Sequence, residues 1–236
     1  MVCLERILPA LQEATKQELS FTSISSTNAT KILETAYRTE ALSVQGRVLL
    51  QAGAIGAASE LFQDANTDWT QSRADYGNET EAESHTVVQH IPAQLLVNEG
   101  LLCFAYSNYD QAIDCFKKAT DVLRSCGLTP VYKREEWVGP SVVGVAPHAN
   151  LFSECINNMA LCALYTCRMR EAVSLLESLV REDPTAFLME RVAFNLCTLY
   201  ELGSDSTASA RKKRVLQLVA KRFFLHDIGP ESFRIN

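Results

Sequence analysis

Residues 156–184 of the chain read INNMALCALYTCRMREAVSLLESLVREDP and contain the spacing that decides the fold. Ala160 is followed 12 residues later by Ala172. Leu176 and Leu179 then come at steps of 4 and 3 residues, which place them with Ala172 on one face of a helix. The step of 12 leaves room for the end of a first helix and a tight turn. The stretch therefore predicts two antiparallel helices with small residues facing each other.

The same spacing occurs in two earlier segments, where the first residue is a glycine and the third a phenylalanine. These copies consist of Gly46, Ala58, Phe62 and Ala65, and of Gly100, Ala112, Phe116 and Ala119. Small facing residues let two backbones approach closely, and we expect the large residue to fill the gap towards the next pair. Three copies predict an all-α array of antiparallel helix hairpins.

The pattern resembles the tetratricopeptide repeat, a 34-residue helix hairpin with small and large residues in this order. In that family a proline commonly closes the second helix, and Pro184 stands at this place in the third copy. The first two copies have Thr70 and Arg124 there, and insertions separate the copies. The resemblance implies a tetratricopeptide-repeat-like α-solenoid.

The copies and the composition between them predict the domain organisation. We expect N-terminal capping helices over residues 1–40 and a repeat array over 41–203, with inserted loops at 67–91 and 127–149. Residues 67–86 of the first insertion are polar and form either a surface loop or an extension of the preceding helix. A C-terminal capping helix and tail follow over 204–236.

The end of the array is predicted to contain two more helices. One spans about 185–202 and stops at Gly203, and the other spans about 206–222. Lys213 falls where the pattern expects a large apolar residue, and a polar last helix is typical of a terminal capping repeat.

The loop at 127–149 contains three prolines and three glycines, which no helix tolerates. Its side chains, Trp137 among them, are too apolar for plain disorder. The loop therefore either packs back on the repeats or docks on a partner protein.

Composition excludes several classes of protein. The chain has 236 residues and 47% hydrophobic residues, which fits a folded domain. Its net charge of −6 argues against non-specific binding to nucleic acid. It contains no run of 18 apolar residues that would span a membrane.

The eight cysteines are interpreted as free thiols, because most of them fall on or beside apolar helix faces. Residues 1–11 lack the apolar core of a signal peptide. We therefore expect a cytoplasmic, reduced protein.

Residues 156–202 carry more than a generic repeat. Ile156-Asn-Asn-Met-Ala160, Glu182-Asp183-Pro184 and the stretch FNLCTLYEL over 194–202 are similar to the family of subunit 12 of the trafficking protein particle (TRAPP) complex. The resemblance implies a non-catalytic scaffold subunit of a vesicle-tethering complex in endoplasmic-reticulum-to-Golgi traffic and autophagy. It implies other protein subunits as partners, and peripheral association with endoplasmic reticulum and Golgi membranes only through the complex.

Chemistry-bearing motifs point to no enzyme. Residues 53–56 (GAIG) lack the lysine and the spacing of a phosphate loop, and residues 139–144 are one residue too long for a nucleophile elbow. The four histidines show no metal-ligand spacing to the cysteines. We expect no cofactor, no metal and no small-molecule substrate.

Three asparagines on the first helices of the pairs are candidate protein-binding residues, namely Asn98, Asn157 and Asn158. An amide can bond a partner's backbone without the desolvation cost of a charge. The alternative is that these amides serve internal packing. Trp137 in the long loop is the fourth candidate.

A co-chaperone or peptide receptor that reads a terminal carboxylate is the rival class. Such a receptor needs a cationic clamp, and of the clamp positions only Asn98 and Asn158 match. Glu154 in the groove would repel a carboxylate.

The one basic cluster runs over 211–214 (RKKR) and continues with Lys221 and Arg222. Its interpretations are a nuclear-import signal, a site for acidic lipid headgroups, a site for an acidic partner, or the solvated face of a capping helix.

Overall fold

The computed structural model describes residues 27–77, 80–127 and 151–234. The described residues up to Gly127 belong to one compact unit, and those from Leu151 onward belong to a second. In these ranges the chain forms helices and no β-strand. The part of the predicted N-terminal capping helices before residue 27 lies outside these ranges, and so does the predicted loop at 127–149 beyond Gly127, with Trp137.

The first unit contains two helix hairpins. The helices are α1 (Thr27–Gln51), α2 (Ile55–Tyr76), α3 (Thr80–Glu83), α4 (Thr86–Ala105) and α5 (Tyr109–Ser125). α1 pairs with α2 and α4 pairs with α5, while α4 also packs against α1 and α2. The second hairpin therefore stacks on the first, as in a solenoid.

The second unit is also built from hairpins. Its helices are α6 (Leu151–Tyr165), α7 (Met169–Glu182), α8 (Pro184–Phe187), α9 (Glu190–Gly203), α10 (Ser206–Arg222) and the 3₁₀-helix η1 (Pro230–Phe233). α6 pairs with α7, and α9 packs against α7, α10 and η1. The all-α, solenoid-like fold class is confirmed.

A glycine against a phenylalanine ring closes each of the first two hairpins. A Cβ added to Gly100 would lie 2.7 Å from Cε1 of Phe116, and one added to Gly46 would overlap the ring of Phe62. The large residue therefore fills the space beside the small residue of its own hairpin, and the expectation that it points to the next pair needs correction. The third copy has Ala160 and Leu176 at these places, both buried.

Each of the first three hairpins turns through one residue in the left-handed conformation. The φ angles are 78° at Gly53, 63° at Ser107 and 60° at Cys167, and each of these residues lies seven positions after the opening small residue. The next N–H always returns to a carbonyl five residues back, as from Arg168 to Ala163 at 2.7 Å. This arrangement is the Schellman motif, in which an αL residue ends the helix.

The insertion predicted as a loop over 67–91 is mostly helical. Residues 67–76 continue α2, and residues 86–91 begin α4. Trp69, four residues after Ala65, extends the buried stripe of α2 and joins a core cluster with residues of α1, α3 and α4. The helix α1 runs unbroken from Thr27 to Gln51, through the predicted boundary at residue 40, and its first half contributes Ile32 and Leu33 to this cluster.

The helix predicted over 185–202 is interrupted near its start. Asp183 Oδ1 accepts the N–H groups of Thr185 and Ala186 and caps the short helix α8. The chain then leaves helical geometry at Leu188, which is buried, and α9 begins at Glu190. The break lets Phe187 stack near Phe152, with ring centroids 5.6 Å apart.

Substitution of Gly100 by alanine tests the glycine–phenylalanine contact. We expect Gly100→Ala to lower the free energy of unfolding by about 1–3 kcal/mol, because the new methyl group overlaps a buried ring. Phe116→Leu in the same chain should restore part of the loss by reproducing the Ala160–Leu176 combination. Urea unfolding of the two single variants and the double variant measures the coupling.

Gly56→Ala is the matched control, since nothing lies within 4 Å of a Cβ added there in α2. It should stabilise the protein by about 0.5–1 kcal/mol through helix propensity alone. Equal effects of the two glycine substitutions would contradict the assigned contact.

Candidate functional site

A buried chain of amides and hydroxyls joins α1 to α4. Asn98 Nδ2 donates to Ser43 Oγ at 2.8 Å, and Gln94 Nε2 donates to Asn98 Oδ1 at 3.0 Å. Ser43 Oγ in turn donates to the carbonyl of Thr39 at 2.8 Å. The side chains of Ser43, Gln94 and Asn98 are nearly inaccessible to solvent. These bonds fix the register of the second hairpin on the first.

The second unit contains an equivalent bond between α6 and α9. Asn195 Nδ2 donates to Asn157 Oδ1 at 2.7 Å. A fourth set with the steps 12, 4 and 3 explains the equivalence, and it consists of Cys197, Ser209, Lys213 and Leu216, all buried. In both bonds the donor lies two residues before the opening small residue of its copy, as Asn195 does before Cys197. The acceptor lies three residues before the opening small residue of the preceding copy, as Asn157 does before Ala160.

The structure places the predicted binding asparagines in two different environments. Asn98 and Asn157 are buried and hydrogen-bonded, which favours the internal-packing interpretation for both. Asn158 is half-buried and occupies the donor position of the third copy. Trp137 lies outside the described residues.

Lys213 occupies the place that Phe62, Phe116 and Leu176 hold in the other copies. The side chain is 8% exposed, and Nζ donates to Glu201 Oε1 and, at 2.9 Å, to the carbonyl of Arg234. The guanidinium of Arg234 lies 3.1 Å from the other oxygen of Glu201. The last pair therefore keeps the repeat register, with an ion pair where sequence reasoning expected apolar packing.

An open groove of about 340 Å³ lies between the first turns of α6 and α9. It contains three carboxylates and one guanidinium, from Glu154, Glu190, Asp227 and Arg191. Arg191 approaches Glu154 to 3.5 Å, and Ser232 Oγ donates to Glu190 at 3.2 Å. A terminal carboxylate entering this groove would meet mainly like charge, which disfavours the peptide-receptor class.

Burial favours the neutral forms of three cysteine thiols and one histidine of the described core. Burial raises the pKa of Cys115 and of Cys155 to about 12 and that of Cys197 to about 11. Burial lowers the pKa of His90, whose Nδ1 lies 2.8 Å from the carbonyl of Thr86. The thiols therefore pack as small apolar groups at neutral pH.

The described residues contain no group of three or more His, Cys, Asp and Glu side chains placed to hold a metal ion. In the same part of the chain, no helix has both the length and the apolar character that crossing a bilayer requires.

Fold and site together define an all-α protein of stacked helix hairpins held in register by buried amides. The chain is similar to "Trafficking protein particle complex subunit 12" of Mus musculus, with 29% identity over 181 residues, or 77% of this chain and 18% of the mouse protein. It is also 29% identical over 175 residues to the Homo sapiens protein of the same description, covering 74% and 18%. The chain thus spans about a fifth of the length of these relatives.

No protein-family model matches the chain, and no solved structure matches it significantly. The resemblance noted in the sequence is therefore confirmed as a distant similarity to subunit 12 of the trafficking protein particle complex.

Removal of the Asn98 amide tests the bridge between α1 and α4. We expect Asn98→Ala to lower the free energy of unfolding by about 1–3 kcal/mol, because the buried Gln94 amide loses its acceptor. Asn158→Ala, two residues before the third opening residue, should change it by less than about 0.5 kcal/mol. Thermal and urea unfolding of both variants provide the comparison, and similar losses would refute the bridge.

Acid should weaken the Lys213–Glu201 ion pair. The hydrogen bond from Lys213 holds the pKa of Glu201 below its ordinary value of 4.5, assisted by Arg234. Because the folded-state pKa lies below the unfolded one, the stabilisation is present above pH 4.5 and is lost as pH falls through the folded-state pKa. Urea midpoints of the wild type and of Glu201→Gln should therefore converge on acidification. A constant difference between the two curves would contradict the assignment.

Proposed function

We propose that this chain is part of a non-catalytic scaffold subunit of a multisubunit vesicle-tethering complex of the TRAPP type. Its hairpins hold neighbouring protein subunits, and the complex acts in endoplasmic-reticulum-to-Golgi traffic and autophagy. The observation that carries the proposal is the 29% identity over 181 residues to TRAPP subunit 12 of mouse. Since the match covers 18% of that protein, the proposal concerns the helix-hairpin segment of such a subunit.

The architecture supports a scaffold role. Stacked hairpins present their surfaces without needing a partner to order them, because the buried Asn98–Ser43 bond and the partly buried Asn195–Asn157 bond already fix the register. A preformed surface avoids the entropic cost of ordering on binding. The proposal assigns no reaction, cofactor or small-molecule substrate to the chain.

The thiols support a cytoplasmic location at the periphery of endoplasmic reticulum and Golgi membranes. The described cysteines are free, and most of them are buried. Free thiols persist in the reducing cytosol, whereas secreted proteins commonly pair them. Attachment through the complex then brings the chain to the membrane.

Asn158 and Trp137 are the proposed partner contacts among the four candidates. Asn158 is half-buried, so its amide remains within reach of a second protein. Asn98 and Asn157 already use their amides inside the fold. Substitution of these two is therefore expected to act on stability before it acts on partners.

Affinity purification tests the proposal directly. The tagged chain is isolated from cells under native conditions, separated by gel filtration, and its partners are identified by mass spectrometry. We expect other TRAPP subunits to elute with it in one large assembly. The double variant Asn158→Ala/Trp137→Ala should reduce their recovery while leaving the chain folded.

Two further variants separate loss of fold from loss of contact. Ala172→Glu places a charge at a fully buried position and should abolish the assembly by unfolding its hairpin. Lys118→Glu, on the exposed side of α5, should leave the assembly intact. Recovery of the folded chain alone, or with chaperones only, would contradict the scaffold proposal.

A further inference from the structure

The exposed side of each second helix is set by the repeat register. Positions two, six and nine residues after the helix's small residue are exposed in every copy. In α2, α5 and α7 they hold Glu60, Asp64 and Thr67; Asp114, Lys118 and Asp121; and Ser174, Ser178 and Arg181. In α10 the same positions hold Arg211, Val215 and Leu218. Only this second helix has apolar side chains at these positions.

The apolar side chains of α10 extend to the end of the helix. Val215 and Leu218 are 59% and 62% exposed and lie one turn apart. The turn that follows adds Phe223 and Phe224, exposed to 42% and 74%. Single exposed apolar residues are ordinary, whereas a contiguous group of them marks a contact surface.

Cations surround these apolar side chains. Arg211, Arg214, Lys221 and Arg222 are exposed, and the described structure gives them no ion pair. The helix Ser206–Arg222 contains no carboxylate. The run RKKR is divided by the fold, since Lys212 approaches Glu177 at 3.6 Å and Lys213 is buried. We call the four free cations with Val215, Leu218, Phe223 and Phe224 the basic-apolar face.

Phe224 stands in a conformation that suits glycine. Its φ is 56°, and the N–H of Leu225 donates to the carbonyl of Ala220 at 2.9 Å, so the helix ends in the same motif as at Gly53. A bulky residue is strained in this region, and a ring that is mostly exposed gains little by packing. Within the described residues, the ring of Phe224 lies near that of His226, at 6.3 Å between ring centroids. Backbone strain with so little internal packing points to a role for the ring outside the fold.

We propose that the basic-apolar face docks on the surface of an anionic lipid bilayer. The four cations contact anionic headgroups, while Val215, Leu218 and Phe224 enter the boundary between headgroups and acyl chains. Arg211 and Arg222 lie about 16 Å apart along the helix, so the charges spread over several lipids. The chain as a whole is acidic, so the attraction is local to this face.

A bilayer suits this face better than an acidic protein does. A bilayer offers negative charge and an apolar layer over one continuous surface, which matches cations and apolar side chains interleaved along one helix. Protein partners fix their register by paired charges of both signs, and α10 presents one sign only. This contact goes beyond attachment through a complex, because the chain itself touches the lipid.

Flotation with vesicles tests the proposal on the full chain. Wild type should float with vesicles of phosphatidylcholine and phosphatidylserine, and not with phosphatidylcholine alone. Arg211→Glu/Arg222→Glu should lower the partition coefficient at least about tenfold. Lys117→Glu/Lys118→Glu is the matched control, since it makes the same charge change on exposed cations of α5 and should leave flotation unchanged.

Phe224→Gly separates docking from folding. Glycine relieves the strain at the left-handed position, so the melting temperature should rise. The lost ring should nevertheless lower the partition coefficient about tenfold. Weaker flotation of a more stable protein cannot be attributed to unfolding.

Three results would overturn the proposal. The first is absence of flotation with anionic vesicles, and the second is an equal loss of flotation from the α5 and α10 charge reversals. The third is retention of the chain on polyglutamate without flotation, which would assign the face to an acidic protein. The vesicles contain no protein, so these results leave the scaffold proposal untouched. Failure of the affinity purification likewise leaves the lipid contact untouched.

Discussion

The rest of the structure depends on the close contact between a glycine and a phenylalanine ring inside a hairpin. Gly100 lies against Phe116 so closely that one added methyl group would overlap the ring, and Gly46 and Phe62 repeat the arrangement. The two helices of a hairpin approach closely because the phenylalanine ring fills the volume that the absent glycine side chain leaves open. The third copy keeps this balance with an alanine and a leucine. Close approach in turn sets where the next hairpin stacks.

Once the hairpins are closed, polar groups decide how they align. Apolar surfaces alone permit sliding, whereas a buried amide is satisfied in one register only. Asn98 and Asn195 provide this restraint at corresponding positions of two units, each through a neighbouring first helix. Lys213 acts similarly at the last hairpin through Glu201. The surfaces that a partner or a membrane would meet are therefore positioned by interior polar bonds.

The repeat spacing predicted the helix hairpins and their turns because periodicity records which side chains are buried. It could not decide whether residues 67–86 form a loop or extend the preceding helix, since the polar residues around Trp69 are the exposed side of a helix whose buried side carries few large residues. The repeat spacing also made the last helix pair look like a poor match to the pattern. A lysine is recognised as a buried residue only when its partners Glu201 and Arg234 are seen beside it. The asparagines were found by position, but only three-dimensional contacts show whether an amide is already engaged.

During synthesis on the ribosome, the hydrogen bonds of Lys213 can be completed only at a late stage. The ammonium group needs an oxygen of Arg234, 21 residues further along, as well as Glu201, which precedes it. Until Arg234 leaves the exit tunnel, the last hairpin would have to bury an incompletely paired charge. The earlier hairpins also wait for later residues, since Ser43 bonds to Asn98 and Asn157 bonds to Asn195, but the groups left unpaired there are neutral. The hairpins are therefore completed in order from the amino terminus to the carboxyl terminus.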